Sequence, residues 1–307
     1  MNLQDNDKTI ILKKLKNINK VKVQTDIPLK RYTSFQVGGP AELLVVPENI
    51  KTLKKIITTL KNTKLPLLIL GKGTNIIVSD KGFRGIVIYT GKLNKVKVKN
   101  NMIKAQAGTT LSRAAKTALN NNLTGMEFAA GIPGSLGGAL YMNAGAYGSE
   151  IKDIITKAVL YNYAGKKITL SKEELNLSYR HSILKEKSLI AAVIYLKLKT
   201  GSKTKIKKTM KELHQKRKAK QPLSRPSAGS IFKRPPDNYA GALIEKAGLK
   251  GTQIGGAAVS TKHAGFIINK GSASAADIKN LITYIQGQVQ QKFGVKLEPE
   301  PIFIGEF

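Results

Sequence analysis

Glycines are concentrated between residues 131 and 148 of this 307-residue chain. The stretch reads Gly131-Ile132-Pro133-Gly134-Ser135-Leu136-Gly137-Gly138 and, a little further on, Asn143-Ala144-Gly145-Ala146-Tyr147-Gly148. Glycine lacks a Cβ atom and tolerates positive φ, so its backbone can approach a bulky ligand and direct amide groups at phosphate oxygens. Residues 131 to 148, here called the glycine cluster, therefore indicate a site for a phosphorylated cofactor.

Tight turns alone would also use glycine, and for a single Gly-Gly pair they would be the better interpretation. The glycine cluster contains six glycines, Pro133 stiffens it, and Asn143 offers a side chain for hydrogen bonding. Turns alone are a poor explanation for that combination.

A second glycine segment has the sequence Gly71-Lys72-Gly73-Thr74-Asn75. It lies between two short apolar runs, residues 67 to 70 and 76 to 78, each of which predicts a buried strand. A strand, a glycine turn and a second strand predict a second contact with phosphate.

This second segment differs from the Rossmann fingerprint, because Ile76 stands where the third glycine would be and no helical pattern follows. A dinucleotide held outside that fold points to flavin rather than nicotinamide. The sequence also has no Gly-x4-Gly-Lys-Ser/Thr string and no Gly-x-Ser-x-Gly elbow around Ser135. These absences argue against an ATPase and an esterase.

The elements that must position these glycines alternate between helix and strand. Residues 1 to 20 and 50 to 61 predict helices, residues 41 to 47 and parts of 66 to 88 predict strands, residues 96 to 107 predict a hairpin, residues 111 to 119 predict a helix, and residues 158 to 163 and 189 to 198 predict strands. We therefore expect an α+β cofactor-binding region over residues 1 to 200, with subdomains at about 21 to 90 and 91 to 200.

Beyond residue 200 we expect a second domain that extends to residue 307. It begins with a lysine-rich connector helix over residues 203 to 220, whose predicted inner face carries Ile206, Met210, Leu213 and Arg217. Its clearest helix starts at Ser274 with Asp277 three residues later, which resembles a capping box, and stops at Gly294.

Composition limits the other functions. The chain is long enough for two or three domains, has no cysteine and has only three histidines, which are widely spaced, so we expect no disulfide, no metal site and a cytoplasmic location. The N-terminus lacks the apolar core of a signal peptide, and no apolar run approaches the roughly 20 residues that span a bilayer, so we expect no membrane insertion.

The formal net charge is +33, which favours an anionic partner such as nucleic acid. Lysine is spread along the whole chain and only 6% of residues are aromatic, so a general lysine bias explains much of this charge. We expect no specific nucleic-acid binding, and a nucleic-acid-binding protein remains an alternative hypothesis.

Three polar strings carry an ionisable or hydroxyl residue that could do chemistry, and in two of them glycine or proline stands beside it. They are Tyr179-Arg180-His181-Ser182, Ser227-Ala228-Gly229-Ser230-Ile231-Phe232-Lys233 and Leu297-Glu298-Pro299-Glu300-Pro301. Taken singly, Arg180 is best interpreted as a surface charge, Ser230 as a turn residue and Glu300 as a solvated carboxylate. Spacing alone does not bring the three strings together.

In this order and with the glycine cluster, however, the strings resemble the family of UDP-N-acetylenolpyruvoylglucosamine reductases, flavoenzymes that make UDP-N-acetylmuramate for peptidoglycan. The likeness extends from Tyr32-Thr33-Ser34-Phe35-Gln36-Val37-Gly38-Gly39-Pro40-Ala41 to residues 297 to 305. The segment between Arg180 and Leu198 is short, so the chain is similar to the form of the enzyme that lacks the tyrosine-bearing loop.

The resemblance implies an FAD-binding region of the vanillyl-alcohol-oxidase (PCMH) type followed by a smaller α+β substrate-binding domain. It implies that Ser230 is the proton donor, with Arg180 and Glu300 assisting. It also implies that the substrate contacts Tyr179, Lys233 and Arg234. The residues that it implies for FAD binding are Tyr32, Thr33, Ser34, Gly71, Lys72, Gly73, Thr74, Asn75, Gly131, Ile132, Pro133, Gly134, Ser135, Gly137, Gly138, Asn143 and Gly145.

The implied reaction uses NADPH to reduce bound FAD, which passes a hydride to C3 of the enolpyruvyl group of UDP-N-acetylglucosamine enolpyruvate before C2 takes a proton. Arg180 would stabilise the negative charge that spreads into the carboxylate, because its guanidinium offers fixed donors. We expect a monomer. An oxidase or dehydrogenase of the same flavin fold, acting on another substrate, remains a further alternative.

Overall fold

The computed structural model describes residues 3 to 307, with side chains from residue 8 onward. The α-helices are α1 Leu3–Lys16, α2 Ile50–Leu60, α3 Leu111–Asn120, α4 Leu136–Tyr141, α5 Ile151–Ile154, α6 Lys203–Lys220, α7 Ala240–Lys246 and α8 Ala275–Phe293.

The strands are mostly short. They are β1 Val21–Pro28, β2 Pro40–Pro47, β3 Leu67–Leu70, β4 Ile76–Val78, β5 Phe83–Tyr89, β6 Val96–Lys99, β7 Met102–Gln106, β8 Leu123–Thr124, β9 Gly145–Ala146, β10 Ser149–Glu150, β11 Ile155–Asn162, β12 Lys167–Ser171, β13 Leu189–Lys197, β14 Lys199–Thr200, β15 Gln253–Ile254, β16 Ala257–Val259, β17 Ile267–Asn269 and β18 Ile302–Ile304.

Contacts divide the chain into two compact units that are discontinuous in sequence. Unit 1 comprises Met1–Thr25, Leu43–Lys72 and Gly85–Gln215, and unit 2 comprises Asp26–Glu42, Gly73–Arg84 and Lys216–Phe307. The sequence predicts two domains that are each continuous in the chain and meet at residue 200, and that boundary remains a prediction. Helix α6, the predicted connector, has Gln215 in unit 1 and Lys216 in unit 2.

Unit 1 is built on two sheets. One has the strand order β1-β2-β5-β3, with β3 parallel to β5, and the other has the order β12-β11-β13-β7-β6, with antiparallel neighbours. Asn49 caps α2 by accepting the Thr52 amide at 2.9 Å, and α2 turns its apolar face to the first sheet. Each fully buried leucine or isoleucine on such a face stabilises the fold by about 1.5–3 kcal/mol.

Unit 2 contains the antiparallel sheet β15-β16-β17, the parallel pair β18 and β4, and helices α7 and α8. Its core joins α8 to residues from distant parts of the sequence, including Phe35, Val37 and Ile77. The Asp80 carboxylate accepts hydrogen bonds from the backbone amides of Ala275 and Ala276 at 2.9 and 3.0 Å. Asp80, which lies just after β4, therefore holds the start of α8.

Several local predictions are confirmed. The strand, glycine turn and strand over residues 67 to 78 are β3 and β4, and the hairpin over residues 96 to 107 is β6 and β7. The predicted inner face of α6 is also found, since Ile206 is buried and Met210 packs against the core of unit 1. The predicted lead-in helix is α1, and residues 1 and 2 of that prediction lie outside the described residues.

Helix α8 follows its sequence signals closely. Ser274 Oγ accepts the Asp277 amide at 3.0 Å, and Asp277 accepts the Ser274 amide at 3.0 Å, which completes the capping box. Gly294 ends the helix in the left-handed conformation with φ +68°, where glycine pays no steric penalty. Within residues 3 to 307, no helix is long and apolar enough to cross a membrane.

Candidate active site

The glycine cluster in unit 1 packs against the loop that precedes α3. The amides of Leu136 and Gly137 donate to the carbonyl oxygens of Thr109 and Ala107 at 2.8 and 2.7 Å. Ser135 is buried and caps α4, with its Oγ 3.4 Å from the Gly138 amide. These backbone bonds fix the shape of the cluster without a ligand.

Three of the predicted cofactor glycines in unit 1 lie where other protein atoms approach closely. A Cβ atom at Gly71 would overlap the Ser135 hydroxyl, so the second glycine segment touches the glycine cluster at this point. A Cβ atom at Gly137 would lie 3.0 Å from Ala107 Cβ, and one at Gly145 would lie 2.7 Å from the Ser149 carbonyl oxygen. Glycine therefore has a structural reason at these positions, in addition to any contact with a cofactor.

Other features of the cluster fit a phosphate-bearing cofactor. Gly138 is exposed, and a Cβ atom there would meet only Ser135 Oγ, at 3.6 Å. Beside the cluster, the buried Thr109 hydroxyl has no hydrogen-bond partner within the described part of the chain, and such a group calls for an added ligand or water. The predicted residues Lys72 and Pro133 are exposed, whereas Gly131, Ile132 and Gly134 are half-buried.

Asn143 lies at the end of this segment, completely buried, with φ +42°. Its Nδ2 donates to the Glu150 carboxylate and to the Ser178 carbonyl oxygen, the latter at 3.0 Å. Its Oδ1 accepts the Lys152 amide at 3.0 Å. The side-chain amide is thus bonded to protein groups, and its predicted contact with FAD remains a prediction.

Arg180 occupies the tip of a tight turn. Ser178 and His181 exchange two backbone hydrogen bonds, of 3.0 and 3.3 Å, on either side of Tyr179 and Arg180. Arg180 has φ +55°, an uncommon conformation for a residue with a side chain, and its guanidinium lies 5.0 Å from the centre of the Tyr179 ring.

Two further contacts hold this turn. The buried Ser182 hydroxyl donates to the Tyr141 carbonyl oxygen at 2.9 Å, and His181 Nε2 lies 2.9 Å from Glu186 Oε1.

In unit 2, the segment from Tyr32 to Ser34 packs against the second half of the glycine turn. Gly73 has φ +59°, and a Cβ atom there would overlap the Tyr32 carbonyl oxygen. The Ser34 amide donates to the Gly73 carbonyl oxygen at 2.9 Å, and the buried Thr33 hydroxyl donates to the Val37 carbonyl oxygen at 2.8 Å. Only glycine fits at residue 73 without moving this segment.

The same residues bond to the strings that carry Ser230 and Glu300. The Ser34 hydroxyl donates to the Ser227 carbonyl oxygen at 2.6 Å, and Asn75 Nδ2 donates to the Glu300 carbonyl oxygen at 3.2 Å. The parallel register of β18 with β4, in which Ile302 lies opposite Ile76, extends this contact. Unit 2 therefore contains the predicted cofactor residues 32 to 34 and 73 to 75 together with two predicted catalytic residues, Ser230 and Glu300. Within the second of these segments, Thr74 is half-buried.

Ser230 is exposed and follows Gly229, which has φ +78° and open space around it. The next residue, Ile231, donates its amide to the Gly265 carbonyl oxygen at 2.9 Å and accepts the Glu300 amide at 2.8 Å. Glu300 is half-buried.

The predicted substrate residues follow in the same string. Lys233 forms an ion pair with Glu298, and the Arg234 guanidinium stacks 4.2 Å from the centre of the Tyr239 ring.

His263 supports the Ser230 string from the loop before β17. Its Nδ1 accepts the Gly265 amide at 3.0 Å, and burial lowers its pKa below the ordinary histidine value, with the nearby charges of Lys250 and Lys220 acting in the same direction. Neutral His263 thus stabilises the loop whose Gly265 carbonyl holds Ile231.

Several supporting residues were assigned no role from the sequence, among them Glu150, Ser178, Ser182, Ser227 and His263. The capping box of Glu150 and Asp153 at the start of α5 left a recognisable spacing in the sequence. Ser178, Ser182 and Ser227 contribute through hydrogen bonds to residues far away in the sequence, which leave no local pattern, and His263 bonds to the nearby Gly265 amide. Across the described residues, no group of three or more His, Cys, Asp and Glu side chains could hold a metal ion.

Two family models match separate parts of the sequence. A family model described as "FAD binding domain" matches residues 41 to 171, and one described as "UDP-N-acetylenolpyruvoylglucosamine reductase, C-terminal domain" matches residues 221 to 304. These matches confirm the expected fold, an FAD-binding region of the vanillyl-alcohol-oxidase type followed by a smaller α+β domain.

Full-length relatives give the same result. The chain is 52% identical to the UDP-N-acetylenolpyruvoylglucosamine reductase of Caldanaerobacter subterraneus, over 97% of this chain and 99% of that protein. It is 49% identical to the enzyme of that name from Clostridium novyi, over 96% and 97% of the two chains. The crystal structure of the Thermus caldophilus reductase superposes with a TM-score of 0.81 at 35% identity, over 93% of this chain and 100% of that one. Since this similarity extends over nearly its entire length, the chain belongs to the UDP-N-acetylenolpyruvoylglucosamine reductase family.

Proposed function

We propose that the protein reduces UDP-N-acetylglucosamine enolpyruvate to UDP-N-acetylmuramate, with bound FAD as cofactor and NADPH as reductant, in the synthesis of peptidoglycan precursors. The observation that carries the proposal is the 52% identity to a curated reductase over nearly the whole of both chains. Proteins of this family are FAD-dependent oxidoreductases, and the match to an FAD-binding domain model supports the cofactor.

FAD, when bound, supplies a hydride from NADPH to C3 of the enolpyruvyl group. The residues that we propose to hold it are 131 to 138 and Gly145 of the glycine cluster, residues 71 to 75 and residues 32 to 34. The exposed glycine backbone and the unsatisfied Thr109 hydroxyl support this assignment.

Ser230 donates the proton that C2 takes. A serine hydroxyl is a weak acid, so it must be held in one position, and the bonds of Ile231 to Gly265 and Glu300 supply that support. General acid catalysis typically contributes about 10²–10⁴-fold to a rate.

Arg180 stabilises the negative charge that develops on the substrate carboxylate, and Glu300 orients the carboxyl group or shares its proton. The planar guanidinium suits this task, because its fixed donors lose little side-chain freedom for each hydrogen bond that they form. Tyr179, Lys233 and Arg234 bind the UDP-sugar, and the two cations offer charge-assisted bonds to its diphosphate.

The experiment that tests this function is anaerobic stopped-flow absorbance of the flavin in wild-type protein and Ser230→Ala. NADPH should bleach the yellow flavin in both proteins, and the UDP-enolpyruvyl sugar should restore the colour rapidly only in the wild type. Ser224→Ala, a change at an exposed serine of the preceding turn, is the matched control and should behave as wild type.

Other outcomes are equally informative. Bleaching without return in the wild type would leave a flavoenzyme with another substrate. A colourless protein that FAD cannot reconstitute would end the proposal, and salt-sensitive binding of DNA or RNA by that protein would favour the nucleic-acid alternative. Equal slowing of both half-reactions in Ser230→Ala would remove Ser230 as the proton donor.

The cytoplasm is the location we propose, because NADPH and nucleotide sugars are available there. A monomer is the oligomeric state we propose, and light scattering on the purified protein tests it: a mass of twice 33.3 kDa would replace it with a dimer.

A further inference from the structure

We propose that Asn143 is a positioning residue for Arg180, and that its buried amide joins the glycine cluster to the turn that carries the guanidinium. The inference rests on the proposed function, in which Arg180 stabilises negative charge on the substrate. It gives Asn143 a role through protein contacts in place of the predicted contact with the cofactor.

The side chain of Asn143 makes three hydrogen bonds to two segments of unit 1, residues 150 to 152 and Ser178. Its Oδ1 accepts a hydrogen bond from the Lys152 backbone amide, and its Nδ2 donates to the Glu150 carboxylate and to the Ser178 carbonyl oxygen. Glu150 is itself fixed, because its backbone amide donates to Asp153 at 2.7 Å and its carboxylate lies 3.4 Å from Lys152 Nζ. The Asn143 amide therefore cannot rotate without leaving its own buried nitrogen and oxygen without these partners.

Ser178 is the residue at which the Arg180 turn closes. Its carbonyl oxygen accepts both Asn143 Nδ2 and the His181 amide, each at 3.0 Å. Because only Tyr179 and Arg180 lie between Ser178 and His181, a shift of the Ser178 carbonyl changes the backbone position from which the guanidinium extends.

The other end of the turn is tied to the same segment. Ser182 donates to the Tyr141 carbonyl oxygen at 2.9 Å, two residues before Asn143. Both ends of the turn are thus held by residues 141 to 143, which continue directly from the glycine cluster's helix α4. Arg180 needs such support, because its φ of +55° is unfavourable for a residue other than glycine, asparagine or aspartate.

A double-mutant cycle tests the inference. Asn143→Gly keeps the left-handed backbone at φ +42° and removes the amide, and Arg180→Asn removes the guanidinium while tolerating φ +55°. Asn100→Gly, at an exposed left-handed asparagine in the β6–β7 turn, is the matched control. The measured quantities are the rates of flavin reduction by NADPH and of flavin reoxidation by the UDP-enolpyruvyl sugar.

We expect Asn143→Gly to slow reoxidation by about 10–100-fold, the loss typical of a catalytic group displaced by a fraction of an ångström to an ångström, and to leave reduction by NADPH nearly unchanged. In the Arg180→Asn background, Asn143→Gly should add no further loss, because the group that it positions is already gone. Asn100→Gly should leave both rates unchanged.

A readout without catalysis is hydrogen exchange of the His181 amide, which donates to Ser178. Exchange there should accelerate in Asn143→Gly and not in Asn100→Gly. If Asn143→Gly fails to fold, Asn143→Asp combined with Glu150→Gln keeps the size and the bond from the Lys152 amide and avoids a carboxylate–carboxylate contact. This double variant loses the donor to Ser178 and should give the same pattern.

Each contrary result has a distinct meaning. Normal reoxidation in Asn143→Gly, or losses that multiply in the double mutant, would overturn the positioning role while Arg180 stays catalytic. Normal reoxidation in Arg180→Asn would remove Arg180 from the proposed function, and the inference would fall with it.

Discussion

The backbone amide of Glu300 donates a hydrogen bond of 2.8 Å to the carbonyl oxygen of Ile231, the residue that follows Ser230. An isolated bridge between Phe232 and Pro299 and a bond from the Lys233 amide to the Glu298 carbonyl oxygen continue this pairing. Two of the proposed catalytic residues thus stand on adjacent extended segments, and their separation is set by backbone bonds.

Asn75→Ala should make the position of Glu300 less fixed, because the side-chain Nδ2 of Asn75 donates to the Glu300 carbonyl oxygen at 3.2 Å. A hydrogen bond of this kind is worth about 0.5–1.5 kcal/mol, so we expect reoxidation of the flavin by the UDP-enolpyruvyl sugar to slow by about 2–10-fold. Stopped-flow absorbance measures the effect, and Asn280→Ala on the exposed side of α8 is the control. A rate equal to that of the control would exclude this support.

Gly73→Ala should damage the proposed FAD site more severely. The new Cβ atom would overlap the Tyr32 carbonyl oxygen, and φ is +59° there, so we expect a loss of more than about 1 kcal/mol in the free energy of unfolding. The flavin-to-protein absorbance ratio after purification should fall with it.

Gly287→Ala provides the matched control for that substitution. Gly287 is exposed within α8, and a Cβ atom added there would have no neighbour within 4 Å among the described residues outside its own helix backbone. Alanine should therefore stabilise the protein by about 0.5–1 kcal/mol, as in other helix interiors. Urea unfolding compares the two variants, and equal stabilities would contradict the steric explanation for Gly73.

Asp277→Asn should show a stability defect that depends on pH. Hydrogen bonds from the Ser274 amide and also from the Gly256 amide lower the pKa of Asp277. A carboxyl group with a lowered folded-state pKa stabilises the fold above its unfolded pKa, and this contribution is lost as the pH falls through the folded-state value.

The variant should therefore be less stable than the wild type by about 0.3–1 kcal/mol at neutral pH. The difference should disappear in strong acid. Urea unfolding at a series of pH values measures it, and a constant difference at all pH values would show that charge plays no part in the cap.

His263 should titrate below its ordinary value in the folded protein, because burial disfavours its charged form. Its proton should lie on Nε2, since Nδ1 accepts the Gly265 amide. Nitrogen-detected NMR across the pH range reports both properties, and the urea-unfolded protein supplies the reference titration. By linkage, the stability that neutral His263 provides is present above the unfolded pKa and is lost as the pH falls.

Sequence patterns predicted those elements whose signals are local. Helix α8 could be placed because Ser274, Asp277 and Gly294 mark its ends, and the β6–β7 hairpin could be placed because alternation breaks at Asn100. Both depend on backbone preferences of neighbouring residues.

The contacts that shape the candidate site are of another kind. The parallel pairing of β18 with β4 and the bond from Asn75 to Glu300 join residues more than 200 positions apart. The bonds of Asn143 likewise reach Ser178 on a separate loop. Hydrophobic periodicity specifies which face of an element is buried but not which distant partner covers it, so these relationships had no signature in the sequence.

Unit 2 is formed from three separate stretches of the chain, and this arrangement limits when it can fold during synthesis. Residues 26 to 42 and 73 to 84 leave the ribosome well before residues 216 to 307, yet Phe35 and Ile77 share one core with α8. During synthesis these residues cannot complete their core until α8 has been made, and β4 cannot pair until β18 follows. A recombinant fragment that begins at residue 216 would lack Phe35 and Ile77 from its core and the strand partner of β18, so it should be insoluble.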